Sequence, residues 1–241
     1  MWKVLQVASA AATASTGTSF TCAYSTANLS PNTKLLCVVA DSHFSGTQGI
    51  TSVKEGATNT FAAMGTATLL NKVVVALYEF DTTAAEAGTK PTITVTTTDT
   101  SQTSVWIAEV AGLMPGTTTG VVLDGAMGTA TGTGGASGTS GAYSSTLKGD
   151  MLIAVYGDDG GTGTFTAPAG YSNTPNADIP GNNAQANIGV AWKNSTGGSE
   201  TATWTLSGTP GDWGTLLGSF RLSPASQPAG GRQAVKRAAY F

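Results

Sequence analysis

One strand pattern is written twice in this chain, and that duplication confines it to an all-β architecture. The later copy, residues 187–222, reads N-I-G-V-A-W-K-N-S-T-G-G-S-E-T-A-T-W-T-L-S, then a short loop, then W-G-T-L-L-G-S-F-R-L. The earlier copy, residues 72–113, reads K-V-V-V-A-L-Y-E-F-D, a loop, T-I-T-V-T-T-T, a loop, and S-V-W-I-A-E-V-A-G-L. Aligned this way, Trp192 falls where Tyr78 stands, Trp204 where Val95 stands and Leu222 where Leu113 stands. Each copy is three apolar runs joined by Gly, Ser, Thr or Asp turns, the spacing of strands and tight connections.

The rest of the chain keeps to this pattern. Charged residues make up 10% of the 241, against roughly 25% in ordinary globular proteins. Gly, Thr, Ala and Ser replace them, a mixture that suits short strands and many turns better than long helices. Lys34–Asp41, Lys72–Phe80 and Met151–Tyr156 are continuous apolar runs, expected of strands buried on both faces. Trp2–Val7 reads as a first strand. Its apolar run is interrupted by Gln6 and is shorter than the roughly 7–15 residues of a secretory h-region. No window approaches the roughly 20 apolar residues of a membrane-spanning helix. Residues 92–98 and 104–113 read as two strands separated by a loop. Residues 114–141 read as a seam, with one strand at 120–124 and then G-T-A-T-G-T-G-G-A-S-G-T-S-G at 128–141, a flexible or long surface loop. About fifteen short strands with regular turn signals predict a β-sandwich, jelly-roll-like, built from two related halves at about 34–113 and 142–222. One joint sandwich is preferred over two in tandem, because each half has few strands with which to cover both its faces.

The residues that carry chemistry are sparse. His43 is the only histidine, and no G-x-S-x-G elbow accompanies it. Glu55, Glu79, Asp81, Asp99 and Glu109 are the carboxylates from which a glycan hydrolase would draw an opposed pair. Asp158 and Asp159, in G-D-D-G-G, lack the D-x-D-x-D-G spacing of a calcium loop. Trp106, Trp192, Trp204 and Trp213 sit inside apolar runs and read as core rather than as a sugar-stacking row. Cys22 and Cys37 read as buried thiols, a cross-strand disulfide being the alternative. We therefore expect no catalytic residue, no cofactor and no metal site.

The last stretch differs from the body. Residues 223–231 form a Pro/Gly linker, and 232–241 read R-Q-A-V-K-R-A-A-Y-F. The whole chain carries −3, and Arg232, Lys236 and Arg237 contribute +3 with no acid beyond residue 222, so the remainder carries −6. Three cations are few for nucleic acid or a membrane surface, and neither is expected as a partner. The expectation is an extended docking tail that grips a protein partner. Val235, Tyr240 and Phe241 would be its apolar anchors, and Arg232, Lys236 and Arg237 would meet acidic rim groups. Folding back on its own body is the alternative.

The L-L-C-V-V-A-D-S run, the K-V-V-V-A-L-Y run, T-I-T-V-T-T-T and S-V-W-I-A-E-V-A-G-L resemble a β-sandwich repeat of tailed-bacteriophage virion accessory proteins. T-F-T-A-P-A-G-Y followed by V-A-W-K-N-S-T-G-G-S-E-T-A-T-W-T-L-S-G resembles it more closely, and the resemblance covers about residues 34–222. It implies a jelly-roll-like fold and a place in the virion as a minor tail, tail-fibre or head-decoration protein, assembled in the host cytoplasm. It implies other capsid or tail subunits as partners, with homo-oligomers among them. A glycan-binding adhesin on the virion is the alternative function. The resemblance supplies no catalytic residue, and the tail lies outside it.

Overall fold

The structure, a computed structural model, describes residues 1–10, 17–24, 27–42, 49–69, 72–84, 86–116, 122–145, 147–160, 165–172, 178–179, 186–207 and 211–224. The first half contains β1 (Lys3–Ala10), β2 (Gly17–Ala23), β3 (Lys34–Ser42), β4 (Ile50–Glu55), β5 (Asn59–Thr60), β6 (Ala62–Leu69), β7 (Val73–Asp81) and β8 (Thr92–Ala111). The second contains β9 (Gly128–Thr133), β10 (Ser137–Thr139), β11 (Tyr143–Ser145), β12 (Met151–Asp158) and β13 (Phe165–Thr166). It continues with β14 (Asp178–Ile179), β15 (Asn187–Asn194), β16 (Gly198–Glu200), β17 (Thr203–Leu206) and β18 (Asp212–Phe220). No helix among the described residues is long and apolar enough to cross a membrane.

The strands stack as four layers. The C-terminal part of β8 lies between β1 and β3, and β3 is followed by β7 and β6, giving one inner layer. The N-terminal part of β8 lies between β2 and β4 and forms the outer layer above it. The second half repeats this plan. Its inner layer runs β9-β18-β12-β15-β14 and its outer layer β10-β17-β13. β3 thus corresponds to β12, β7 to β15 and β1 to β9, while β8 in one half does the work of β17 and β18 in the other.

Side-chain alternation divides the core accordingly. Leu36, Val38 and Ala40 of β3 point to a layer shared with Met151, Ile153 and Val155 of β12. Leu35, Cys37 and Val39 point the other way, into the first half's own core. Leu152, Ala154 and Tyr156 do the same in the second half. Each half is a sandwich with its own core, and the two are packed back to back through a shared layer, in place of the one joint sandwich that the sequence reading preferred. This explains why all of β3 and β12 is buried. Trp106 and Trp192 meet in the shared layer with ring centroids 6.0 Å apart.

Four more expectations need correction. Residues 92–111 form one continuous strand, not two strands and a loop. The polar residues 97–103 look like a loop but are the crossing between layers, and their hydroxyls are satisfied there. Ser101 Oγ and Thr103 Oγ1 lie 3.0 Å apart, and Thr103 donates to Asp41 Oδ1 at 2.7 Å. Residues 128–141 are not a loose seam: β9 pairs with β18 and β10 with β17. Two of the glycines there, Gly132 and Gly138, lie under rings. A Cβ on Gly132 would stand 2.4 Å from the Trp213 ring, and one on Gly138 would stand 2.8 Å from Tyr156. The aligned pair Trp192 and Tyr78 is off by one residue, since Tyr78 faces the first half's own core and Trp192 the shared layer. A slip of one residue exchanges faces in a strand. The strand expected at residues 120–124 reduces, among described residues, to a bridge between Leu123 and Phe220.

The halves also meet through a reciprocal backbone contact. Leu113 and Leu222 form an antiparallel bridge. Met114 N donates to Arg221 O at 2.8 Å, and Ser223 N donates to Gly112 O at 2.9 Å. Any antiparallel bridge exchanges bonds in this way; here the bridged residues also hold equivalent places in the two copies, as an approximate two-fold axis between the halves requires.

Gly138→Ala tests the packing of the seam. The added methyl has only a buried ring to push against, so stability to urea should fall by about 1–3 kcal/mol. Gly17→Ala, whose methyl would meet nothing closer than 3.9 Å, should leave stability unchanged or slightly raised. Equal effects at the two positions would contradict the close approach.

Candidate functional site

The strongest concentration of buried charge lies at one end of the first sandwich, beside the junction with the second. The antiparallel register sets Lys34 of β3 opposite Asp81 of β7, with Leu36 opposite Glu79. Lys34, Glu79 and Asp81 therefore share a face. The Lys34 ammonium donates to Glu79 Oε2, to Asp81 Oδ1 at 2.6 Å and to Gly116 O at 3.0 Å. These acceptors use all three of its protons. Asp81 Oδ2 accepts from Gly116 N. Lys34 and Glu79 are buried, while Asp81 keeps 28% of its side chain exposed.

A cleft of about 280 Å³ opens beside this triad, lined by Thr33, Lys34, Asp81, Thr82, Leu113 and Ser223 among others. Asn32, on its rim, holds φ at 59°, a left-handed conformation that Asn tolerates better than most residues. The turn is fixed by Thr33 N donating to Thr82 Oγ1 at 2.9 Å and by Thr82 N donating to Thr33 O at 2.9 Å. Burial pushes the Glu79 carboxyl up to about 7, although the adjacent Lys34 ammonium pulls it down. Its Oε1 has no hydrogen-bond partner among the described residues. Chemically this is a clamp. It ties β3 and β7 to Pro115–Gly116, where the chain leaves the first half, and it sits where residue 223 begins the linker.

The other sequence candidates are dispersed. Glu109 lies opposite Leu35, on the far face of the sheet from Glu79, so these two carboxylates do not face one another. Glu109 accepts from Gln6 Nε2 at 2.6 Å, Ser30 N at 2.7 Å and Thr33 Oγ1 at 2.9 Å. Glu55 accepts from Asn59 Nδ2 at 2.6 Å at the β4–β5 turn. Asp99 lies where β8 crosses between layers. His43 lies outside the described residues, as do Arg232, Val235, Lys236, Arg237, Tyr240 and Phe241 of the docking tail.

Asp158 is buried and accepts from Asn187 Nδ2, from Tyr156 Oη at 3.1 Å and from Gly160 N at 3.1 Å. Burial holds its carboxyl up at about 6. Asp159 accepts from Asp212 N at 2.7 Å. No group of three or more metal-ligating side chains occurs among the described residues.

Trp106, Trp192 and Trp204 are buried, and Trp2 and Trp213 are half-buried. None stands out as a stacking platform. Cys22 and Cys37 are free, buried thiols, and burial pushes Cys22 up to about 12 and Cys37 well above its ordinary value. Neither thiol is poised as a nucleophile.

The triad itself escaped the sequence reading, which took Lys34 as the edge of an apolar run. The signal was present: K-L-L-C-V-V-A-D and V-V-V-A-L-Y-E-F-D are charged at their ends, and antiparallel pairing sets lysine against acid. Comparison with known proteins adds no relative, since no family model, no curated protein and no solved structure matches the chain. The fold and site together define the class as an all-β protein of stacked sandwiches.

Two measurements test the clamp. Lys34→Met leaves Glu79 buried without its counter-charge and should cost about 3–5 kcal/mol at pH 8, less at pH 5, where Glu79 takes up a proton. Glu79 titrates near 7 when folded and near 4.5 when unfolded. Between those values the folded chain holds a proton that the unfolded chain has released, so stability falls as pH rises through this window and is level above it. Urea titrations from pH 4.5 to 8 should show that decline, and Glu79→Gln should flatten its part above about pH 6, leaving below it the share of Asp150 and Asp158, which burial also raises to about 6. An unchanged slope in the variant would remove Glu79 as its source.

Proposed function

We propose that this chain is a non-enzymatic structural protein of a tailed-phage virion, a minor tail or capsid-decoration protein held to a neighbouring subunit through Arg232–Phe241. The strand-pattern resemblance over residues 34–222 gives the class of particle. The observation that carries the docking role is the division of charge, −6 on residues 1–222 against +3 on the segment that follows. The last residues before that segment leave at Ser223, beside the junction clamp, so a pull on the tail is borne by the paired strands of both halves. A structural role agrees with acids that are tied into the fold at Asp81, Glu109, Asp158 and Asp159. An adhesin reading would need an exposed aromatic row, and the tryptophans point into the layers instead.

The test is incorporation. Tagged chain produced during particle assembly should co-sediment with purified particles, and removal of Arg232–Phe241 should abolish that while leaving the thermal unfolding of the remainder in place. Undiminished incorporation would refute tail-mediated anchoring, and absence of the intact chain from particles would refute the virion assignment.

A further inference from the structure

A docking tail needs a receptor, and an open strand edge is one kind that a peptide segment can join. An edge strand presents unpaired N–H and C=O groups, and proteins guard such edges with charge, proline, shortness or a covering element. Among the described residues, β6 packs against β9 and β18 of the other half, and β5 and β14 are two residues long. β1 is only lightly guarded, by Lys3 at its start and a register shift between Val4 and Gln6. It runs for eight residues, K-V-L-Q-V-A-S-A, with one charge at its start and no proline. It pairs with β8 on one side and with no described strand on the other. Leu5 is 38% exposed and the preceding Met1 85% exposed, two of the three exposed large apolar side chains among the described residues.

We propose that the open edge of β1 is the acceptor for the C-terminal segment Arg232–Phe241 of a second copy, which adds to it as an antiparallel strand. This deepens the proposed function and rests on its assignment of the tail as the docking element. The segment suits the role. It has no glycine or proline after Gly231, and it is long enough to pair with all eight residues of β1. Main-chain bonds would supply affinity, Tyr240 and Phe241 would meet Met1 and Leu5, and the cations would meet a body of opposite sign.

Geometry favours a neighbour's tail over the chain's own. Ser223 N bonds to Gly112 O, and the adjoining Ala111 is the partner of Lys3. The tail therefore departs at the Lys3 end of β1. To lie antiparallel on its own β1, residue 232 would have to start at the Ala10 end, about 24 Å away at ~3.4 Å per residue. The eight Cα steps from Pro224 to Arg232 reach about 28 Å when fully extended, which leaves only about 4 Å for the step across to the open edge and the turn back. A tail from a second copy has no such limit.

Sedimentation of the full chain across a concentration series tests this. The unaltered chain should self-associate. Leu5→Lys, which gates the edge and repels a basic strand, should weaken association at least tenfold, and Leu5→Glu should weaken it less. Val235→Pro with Ala239→Pro, which removes two donors from the added strand, should weaken it at least tenfold. Mixing the Leu5→Lys chain with this tail variant should restore a complex, since each supplies what the other lacks. Unfolding temperatures close to that of the unaltered chain confirm that each variant folds.

Association that ignores all these substitutions would overturn the edge as receptor. A monomeric unaltered chain whose two variants nonetheless associate on mixing would show the tail occupying its own edge, and would overturn the second-copy assignment. A chain that incorporates into particles through its tail but never self-associates would leave the docking role standing and sink this acceptor alone.

Discussion

Burial of the central strands from both sides is the constraint on which this molecule depends. A strand in a simple sandwich hides one face and wets the other. Here β3, β12 and most of β7, β15 and β18 hide both, because each inner layer is covered by its own outer layer and by the opposite half. Apolar side chains are therefore required at consecutive positions, and the few polar ones must find partners within the fold. Lys34, Asp41, Glu79 and Asp158 sit at strand ends, where partners from neighbouring loops and strands can reach them.

Glycine has an unusual part in this packing. Gly157 of β12 and Gly214 of β18 face Val75 across the shared layer, and a Cβ on Gly157 would stand 2.7 Å from it. Gly189 lies under the Trp204 ring, where a Cβ would stand 2.8 Å away. Large rings and bare backbone alternate, and the layers close by fitting one onto the other. Glycines such as Gly56 and Gly88 serve turns at positive φ, while those within the strands mark where sheets and rings come close.

That double role of glycine bears on what the sequence made legible and what it concealed. The apolar runs at 34–41, 72–80 and 151–156 declared doubly covered strands, because no other setting tolerates so many consecutive apolar residues in a β chain. The duplication was legible in its second part, where Trp and Leu recur. It was hidden in β9 and β10, since Gly and Thr there serve packing that only a neighbour such as Trp213 defines. The break at 99–103 was misread because polar residues that bond to each other in a crossing have the composition of a loop. The clamp at Lys34 could be inferred only after pairing β3 with β7, a long-range fact that local spacing does not encode. Glu79 and Glu109 looked alike as strand carboxylates, and the register alone separates their faces.

The reciprocal bonds between Met114 and Arg221 and between Ser223 and Gly112 have a counterpart in oligomers. Leu113 and Leu222, equivalent residues of the two copies, pair with one another, and a contact between equivalent residues is the kind by which two identical chains associate, so this polypeptide has the form of a homodimer joined end to end. Fusion frees each protomer from having to remain identical to its twin. One can then carry a lysine and two acids at its end while the other is filled with glycine, a divergence that no dimer encoded by a single copy could achieve.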